Sequence, residues 1–351
     1  MRCDYDVVSD VRLTPRALEA LEGYRVLHPL GGDAPERVAA ARRARVYINL
    51  ATPMGPGDFN GCTELVIART SGYDHIDLNA AEEAGVCVAN QPEVIDEAVA
   101  EYAVGGILAA LRMIVSGHKY FEDGLWASRG WPRHLMGGLL LGRTVGLLGA
   151  GRIGQRVAFM LRLLGAGRVL YHSRTRKPGL EANLGAAFVD LTTLFEESDV
   201  LVNSLPLTPE TRGLVSEELL LRLPHGAVYV NVGRGATEEP GALVGAASKR
   251  PDLYFVVDVH PSEPPRGPEE SRYELARSNP RFIATPHFAG YSLESAYATT
   301  ILAARQAALY LERSCVWNPL TSACRRCREG PPPLASIIEE ARLEAANARA
   351  R

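Results

Sequence analysis

Three ionisable side chains in the second half of the chain have types and settings that suit joint chemistry. Arg234 follows the apolar run Val230-Asn231-Val232-Gly233. Glu263 lies in Asp258-Val259-His260-Pro261-Ser262-Glu263-Pro264, and His287 follows Thr285-Pro286. Reducing a 2-keto acid needs a group to hold the carboxylate, a group to polarise the carbonyl, and a proton for the developing alkoxide. Arg234 can do the first two through its fork of N–H donors. His287 can deliver the proton, and remove it in the reverse direction. Glu263 can orient His287 and favour its charged form. Singly, each has a plainer reading: a satisfied structural histidine, a surface cation, a solvated loop carboxylate. Their joint occurrence downstream of a nucleotide-type turn favours the catalytic one.

That turn is Gly149-Ala150-Gly151-Arg152-Ile153-Gly154. An apolar strand, Arg143 to Leu148, precedes it. A helical pattern follows, with Ile153, Val157, Leu161 and Leu164 on one face. In this setting Gly149 permits the tight turn, Gly151 lets the backbone approach a pyrophosphate, and Gly154 lets helix and strand pack closely. The N–H groups at Arg152 and Ile153 open a helix whose N-terminus attracts phosphate. A dinucleotide is therefore expected. About twenty residues on, a carboxylate would normally accept the ribose hydroxyls of NAD. Here the strand ends instead in Tyr171-His172-Ser173-Arg174-Thr175-Arg176-Lys177. A carboxylate would repel a 2′-phosphate, whereas Arg174 between Ser173 and Thr175 would bind it. NADP is favoured over NAD on this ground, and a solvated basic strand end would leave both open.

These side chains need strand ends to hold them. Val46 to Leu50, Leu65 to Ala68 and Val86 to Ala89 read as buried strands, with a short helix at Asp77 to Ala84 closed by Gly85. A long proline-free helix, Asp96 to Leu111, connects this lobe to a second. The second lobe repeats the alternation: Arg143 to Leu148, Arg168 to Tyr171, Asp199 to Asn203, Ala227 to Asn231, Tyr254 to Asp258 and Phe282 to Thr285. Strands alternating with helices predict α/β architecture, two doubly wound parallel-sheet domains (Rossmann-like and flavodoxin-like) with a cleft between them. The carboxyl ends of the strands line such crevices, which is where Arg234, Glu263 and His287 fall. A helix from about Leu293 to Leu311 returns the chain to the first lobe. The expected division is a discontinuous substrate-binding domain, 1–97 with 292–351, and a dinucleotide-binding domain, 98–291.

The bulk numbers agree with two domains: 351 residues, 46% hydrophobic, 23% charged. A net charge of −3 offers no general attraction to nucleic acid or an anionic membrane, so neither is expected as a partner. Only Lys119, Lys177 and Lys249 are lysines, and the arginine bias carries no functional reading. The start lacks the apolar core of a signal peptide, and no apolar stretch is long enough for a membrane span. Cys3, Cys62 and Cys87 read as isolated free thiols, which points to the cytoplasm. Near the end, Cys315, Cys324 and Cys327 have no histidine neighbour, so no metal site is expected; a disulfide or plain thiols fit better. Ser336 and Glu339 form a capping-box pattern for a last helix.

The ordered segments Thr70 to Asp77, the turn at Gly149, Leu205-Pro206-Leu207-Thr208-Pro209-Glu210-Thr211, Asn231 to Gly235, Asp258 to Pro264 and Thr285-Pro286-His287 resemble the D-isomer-specific 2-hydroxyacid dehydrogenase family, over Val46 to Leu311. The resemblance implies Arg234, Glu263 and His287 as the catalytic set. It implies carboxylate binding by the N–H groups of Ser71 and Gly72 along with Arg234. It places Pro206, Val232, Gly233 and Asp258 around the cofactor. It also implies lobe closure over the substrate, and a homodimer formed largely through the cofactor domain. The stretch Tyr171 to Lys177 is similar to archaeal glyoxylate and hydroxypyruvate reductases. Arg69 to Tyr73 and Glu97 to Glu101 look more like D-lactate dehydrogenases. Glyoxylate or hydroxypyruvate is the first-choice substrate. A D-lactate-type or broad 2-ketoacid enzyme is the runner-up; a phosphite dehydrogenase or a non-catalytic corepressor-like module on the same scaffold are further alternatives. The tail after Cys315 departs from the family.

Overall fold

The computed structural model describes residues 3–349. The chain divides into two compact units: a first made of the chain up to Asp96 together with the chain from Tyr291 onward, and a second from Glu97 to Gly290.

The first unit holds five parallel strands: β1 (Tyr5–Ser9), β2 (Val26–Leu27), β3 (Ala44–Asn49), β4 (Leu65–Ala68) and β5 (Cys87–Asn90). Their order is β2-β1-β3-β4-β5. Burial on both faces explains why β3, β4 and β5 read as unbroken apolar runs rather than alternating ones. One face, with Val46, Ile48 and Ile67, packs on Ala303, Ala304 and Ala307 of the helix Leu293–Arg313; the other, with Tyr47, Val66 and Val88, packs on Val38 and Ala81. The C-terminal segment thus completes a core that the N-terminal segment begins. The strands β1 and β2 went unread in the sequence because their flanks are charged. Arg25 bonds Asp6, and Arg43 pairs with Asp4, so these charges sit at the sheet margin instead of marking a loop.

The second unit holds seven parallel strands: β6 (Val145–Leu148), β7 (Val169–His172), β8 (Ala187–Phe188), β9 (Val200–Asn203), β10 (Val228–Asn231), β11 (Tyr254–Val257) and β12 (Phe282–Ala284). Their order is β12-β11-β10-β9-β6-β7-β8, so the direction of winding reverses between β6 and β9. That reversal is where a doubly wound sheet opens a ligand crevice. The unit's core gathers Phe195, Leu201, Tyr229, Leu243 and Phe255.

Two readings are corrected. The thiols of Cys3, Cys62 and Cys87 are not free: Cys3 is bonded to Cys62, Cys87 to Cys324 and Cys315 to Cys327. Sequence separations of 59 and 237 residues hid the first two pairs. The thiol argument for a cytoplasmic location falls with them. Nor does Ser336 cap the last helix. That helix spans Leu334–Arg349, directly after Pro331-Pro332-Pro333, and Ile337 N–H donates to the Pro333 carbonyl. Ser336 therefore lies within the first turn.

Candidate active site

Glycine geometry shapes the turn after β6. Gly149 has φ +93°, a left-handed conformation that glycine adopts without strain. A Cβ on Gly154 would meet the Gly149 carbonyl oxygen at 2.4 Å, so only glycine allows the helix Arg152–Leu163 to start this close to the strand. A Cβ on Gly151 would meet nothing within 4 Å, which leaves the backbone open to a ligand. Gly151 caps the helix without a side-chain hydrogen bond, so no capping side chain covers the helix N-terminus at Arg152 and Ile153, the end that attracts an anion. Ser204, just past β9, donates to the Gly149 carbonyl at 2.8 Å and ties the turn across the winding reversal. These features fit a bound pyrophosphate.

The end of β7 is basic, and its charges are not equivalent. Arg176 is paired with Glu181 at 2.8 Å, and Glu181 also accepts from the Tyr171 hydroxyl. Lys177 donates to the Thr175 hydroxyl at 3.1 Å, and the Ser173 hydroxyl donates to the Thr175 carbonyl at 2.7 Å. Arg174 is exposed and makes no hydrogen bond among the described residues. Glu181 thus holds Arg176, while Arg174, whose charge is felt by Glu210 without a hydrogen bond between them, keeps its donors for a ligand.

His287 stands beyond β12 with φ +53°, a sparsely populated region for a residue with a Cβ. Local hydrogen bonds impose it. His287 N–H donates to the Asp258 carbonyl at 2.7 Å and the Thr285 carbonyl at 3.1 Å. Asp258, buried at the end of β11, accepts from the Thr285 hydroxyl at 2.6 Å, Phe288 N–H at 3.1 Å and Ala289 N–H at 2.8 Å. Asp258 is therefore the anchor of the loop that carries His287, a role its sequence position did not suggest. The ring Nδ1–H of His287 donates to Glu263 Oε2 at 2.6 Å. Glu263 Oε1 accepts from His260 N–H at 3.0 Å, and His260 Nε2 donates to the Thr285 carbonyl at 3.0 Å. The hydrogen bond to Glu263, with its negative charge, raises the His287 pKa above its usual 6.5 against the opposing effects of burial and Arg234. Burial pulls the Glu263 carboxyl upward, yet the His287 and His260 hydrogen bonds win and hold it below its ordinary value. With Nδ1 on Glu263, Nε2 is the nitrogen free to exchange a proton with a ligand.

Arg234 ends the turn after β10, where Val232 N–H donates to the Asn203 carbonyl and Gly233 N–H to Asn231 Oδ1. A Cβ on Gly235 would sit 2.0 Å from the His260 carbonyl carbon, so a glycine is required for the Arg234 loop to pass against the His260 loop. The Arg234 carbonyl accepts from the Thr237 hydroxyl at 2.6 Å and Asn231 Nδ2 at 3.3 Å. Beneath lies a polar network that sequence reasoning missed. Glu238 accepts from Asn231 at 2.8 Å, Tyr229 at 3.1 Å and Arg272 at 2.6 Å; the Arg272 and Glu238 side chains are 1% and 0% exposed. Arg272 is 34 residues from Glu238, and no local pattern links the two. The second unit thus gathers Arg234, Glu263, His287 and the dinucleotide turn at the carboxyl ends of its strands. Pro206 is exposed just past β9.

Ser71 and Gly72 belong to the first unit, after β4. The Ser71 hydroxyl donates to Asp96 at 3.1 Å, its carbonyl accepts from Asn90 at 2.8 Å, and the Gly72 carbonyl accepts from Thr70 at 2.7 Å. Neither backbone N–H donates to a partner among the described residues. Two adjacent unmet donors suit a carboxylate.

A family profile described as D-isomer specific 2-hydroxyacid dehydrogenase, NAD binding domain, matches residues 104–289. The chain is 41% identical over 203 residues to a glyoxylate reductase from Aeropyrum pernix, which takes in 57% of this chain and 60% of that enzyme. Against the glyoxylate reductase of Pyrococcus furiosus it is 35% identical over 237 residues, covering 67% and 68%. The fold is similar to that of the NADPH-dependent glyoxylate/hydroxypyruvate reductase of Sinorhizobium meliloti, solved with NADP and malonate: TM-score 0.79, 28% identity, 93% of this chain and 99% of that one. The matched segment is a nicotinamide-dinucleotide domain, and it carries the glycine turn, Arg234, Glu263 and His287 described above. This chain belongs to the D-isomer specific 2-hydroxyacid dehydrogenase family.

Proposed function

We propose that the protein reduces a small 2-keto acid, glyoxylate or hydroxypyruvate, to the D-2-hydroxy acid, with NADPH preferred over NADH. The observation that carries this reading is the 2.6 Å contact of His287 with Glu263. It fixes which ring nitrogen faces the substrate and favours the charged form of the imidazole, raising its pKa above the usual value. The nicotinamide supplies the hydride when bound. Arg234 holds the carboxylate and polarises the carbonyl, with Ser71 and Gly72 N–H as further carboxylate donors. His287 Nε2–H gives its proton to the alkoxide oxygen, and Glu263 stabilises the imidazolium beforehand. The turn at Gly149, Gly151 and Gly154 holds the pyrophosphate, Arg174 with Ser173 and Thr175 meets the 2′-phosphate, and Pro206, Val232, Gly233 and Asp258 border the nicotinamide side. The discriminating experiment is a matrix of kcat/KM for glyoxylate, hydroxypyruvate and pyruvate with each cofactor. Best turnover of pyruvate would shift the assignment to a D-lactate-type enzyme, and no oxidation of either cofactor would end the enzymatic reading.

A homodimer through the cofactor unit is part of this proposal. Phe121, Trp126 and Trp131 form a chain of ring contacts 6.2 and 6.0 Å apart while remaining exposed, Trp131 by 80%. Such an apolar surface fits a partner subunit. Trp131→Glu should give a monomer by light scattering; an unchanged mass removes this surface from the interface. A cytoplasmic location is kept as a proposal, since disulfide-rich intracellular proteins occur in hyperthermophilic archaea and bacteria.

A further inference from the structure

A cavity of about 780 Å³ opens in the first unit, away from the Ser71 and Gly72 N–H pair, neither of which lines it. Its walls come from Leu13 and Arg16 after β1, Leu50 after β3, Arg69 after β4, Thr300, and Glu344 of the last helix. The five-stranded sheet reverses its winding between β1 and β3. The cavity therefore spans the carboxyl ends of the strands at the switch point, where flavodoxin-like sheets take their ligands.

Two side chains in it are in an unusual electrical state. Arg69 is 8% exposed. Its Nη1 donates to the Ala296 carbonyl and to the hydroxyls of Thr299 and Thr300, at 3.0, 3.1 and 2.9 Å. All three acceptors are neutral. Its Nε is buried with no partner. No carboxylate lies within ion-pair distance among the described residues, so the charge is buried without a counter-ion. Nη2 makes no hydrogen bond among the described residues, and Arg69 lines the cavity. Glu344, which also lines the cavity, is 5% exposed. Its Oε1 accepts from Arg16 N–H at 2.8 Å, and its Oε2 is buried with no partner. Arg69 and Glu344 do not pair with each other. A buried cation and a buried anion, each incompletely met, face one space large enough for a metabolite.

We propose that this cavity is a second binding site, for a small carboxylic acid that also carries a hydroxyl or ammonium donor. The carboxylate neutralises Arg69, and the donor meets Glu344. A bare dianion suits the site less well because Glu344 repels it. The last helix supplies Glu344, so the tail of the chain builds one wall of the site.

The test is binding rather than turnover, so it stands apart from the proposed activity. Thermal melts and calorimetry of the whole protein would use D-glycerate, L-serine and succinate, in the wild type and in Arg69→Met, Ala348→Trp and Arg234→Ala. Glycerate or serine should raise Tm saturably, glycerate reporting a hydroxyl requirement and serine an ammonium one, with succinate weaker than whichever binds. The rise should survive Arg234→Ala, which disables only the proposed active site. Arg69→Met should weaken binding by about tenfold or more, as expected for losing a charged hydrogen-bond donor. Ala348→Trp, which fills the cavity from its exposed rim, should do the same and guards against misfolding of the first variant. Unchanged affinity in both cavity variants, loss only in Arg234→Ala, or no saturable binding of either acid would overturn the proposal.

Discussion

The two units wrap helices around the same kind of parallel sheet but hold it together differently. All six cysteines lie in the first unit, in three disulfides, and the second unit has no cysteine. The first unit is assembled from two segments nearly two hundred residues apart in the chain. Bringing them together carries a loop-closure cost, and the Cys87–Cys324 bond removes much of that cost by linking the segments in the unfolded state too. The second unit is continuous and needs no such link. Its reinforcement is polar and lies beneath the candidate site: Glu238, paired with Arg272, accepts from Tyr229 and Asn231, just ahead of Arg234. One covalent tie, Cys87–Cys324, joins the two segments of the discontinuous scaffold, while buried hydrogen bonds support the candidate site in the continuous one.

The strongest challenge to that division is His287→Ala. It should lower kcat by about 10²–10⁴, the usual loss of a general acid, and leave the melting of the first unit unchanged. A near-normal kcat would remove His287 from the mechanism. Next in size is Arg272→Met. Removing one partner strands the Glu238 charge, so chemical denaturation should show about 3–5 kcal/mol lost. If the loss is confined to the second unit and kcat falls with it, the polar network positions Arg234; a neutral outcome would mean the pair is dispensable.

Replacing Cys87 and Cys324 together by alanine should cost about 2–5 kcal/mol, read at the first unit only. Trp317 reports that unit, while Trp126 and Trp131 report the second. Equal shifts at both reporters would undo the contrast. Arg174→Ala should raise KM for NADPH by about tenfold or more while KM for NADH stays near normal; equal effects would remove the 2′-phosphate role.

The mildest test is pH. The folded pKa of His287 is raised above 6.5. Its pairing with Glu263 therefore adds stability below the unfolded value, and this is lost as pH rises through the folded value. Reduction needs the charged ring, so its rate should fall across that same interval, and oxidation should rise. Glu263→Gln should move both profiles to lower pH. Profiles that stay in place would separate Glu263 from the histidine.

Much of the second unit was legible because its signals are local. A glycine turn between strand and helix, an arginine after one strand and a histidine after another each lie within a few residues of the element that positions them. The long helices Glu93–Leu111 and Leu293–Arg313 were readable for the same reason: an uninterrupted run of helix-forming residues without proline. The strand β1 was not, because Asp4, Asp6 and Asp10 around its short apolar centre resemble a solvated terminus.

The family, the α/β plan of two parallel sheets and the candidates Arg234, Glu263 and His287 were legible in the sequence, and the structure joins His287 to Glu263. The candidate residues each follow a single strand, and the family and the plan rest on the order of such local segments along the chain. Tertiary structure alone decided that Cys87 meets Cys324, that Arg272 meets Glu238, that Asp258 anchors the His287 loop, and that Arg69 and Glu344 line one cavity. Those facts depend on side chains brought together from distant parts of the chain, where burial removes competing water and makes every charge and thiol answer to its neighbours.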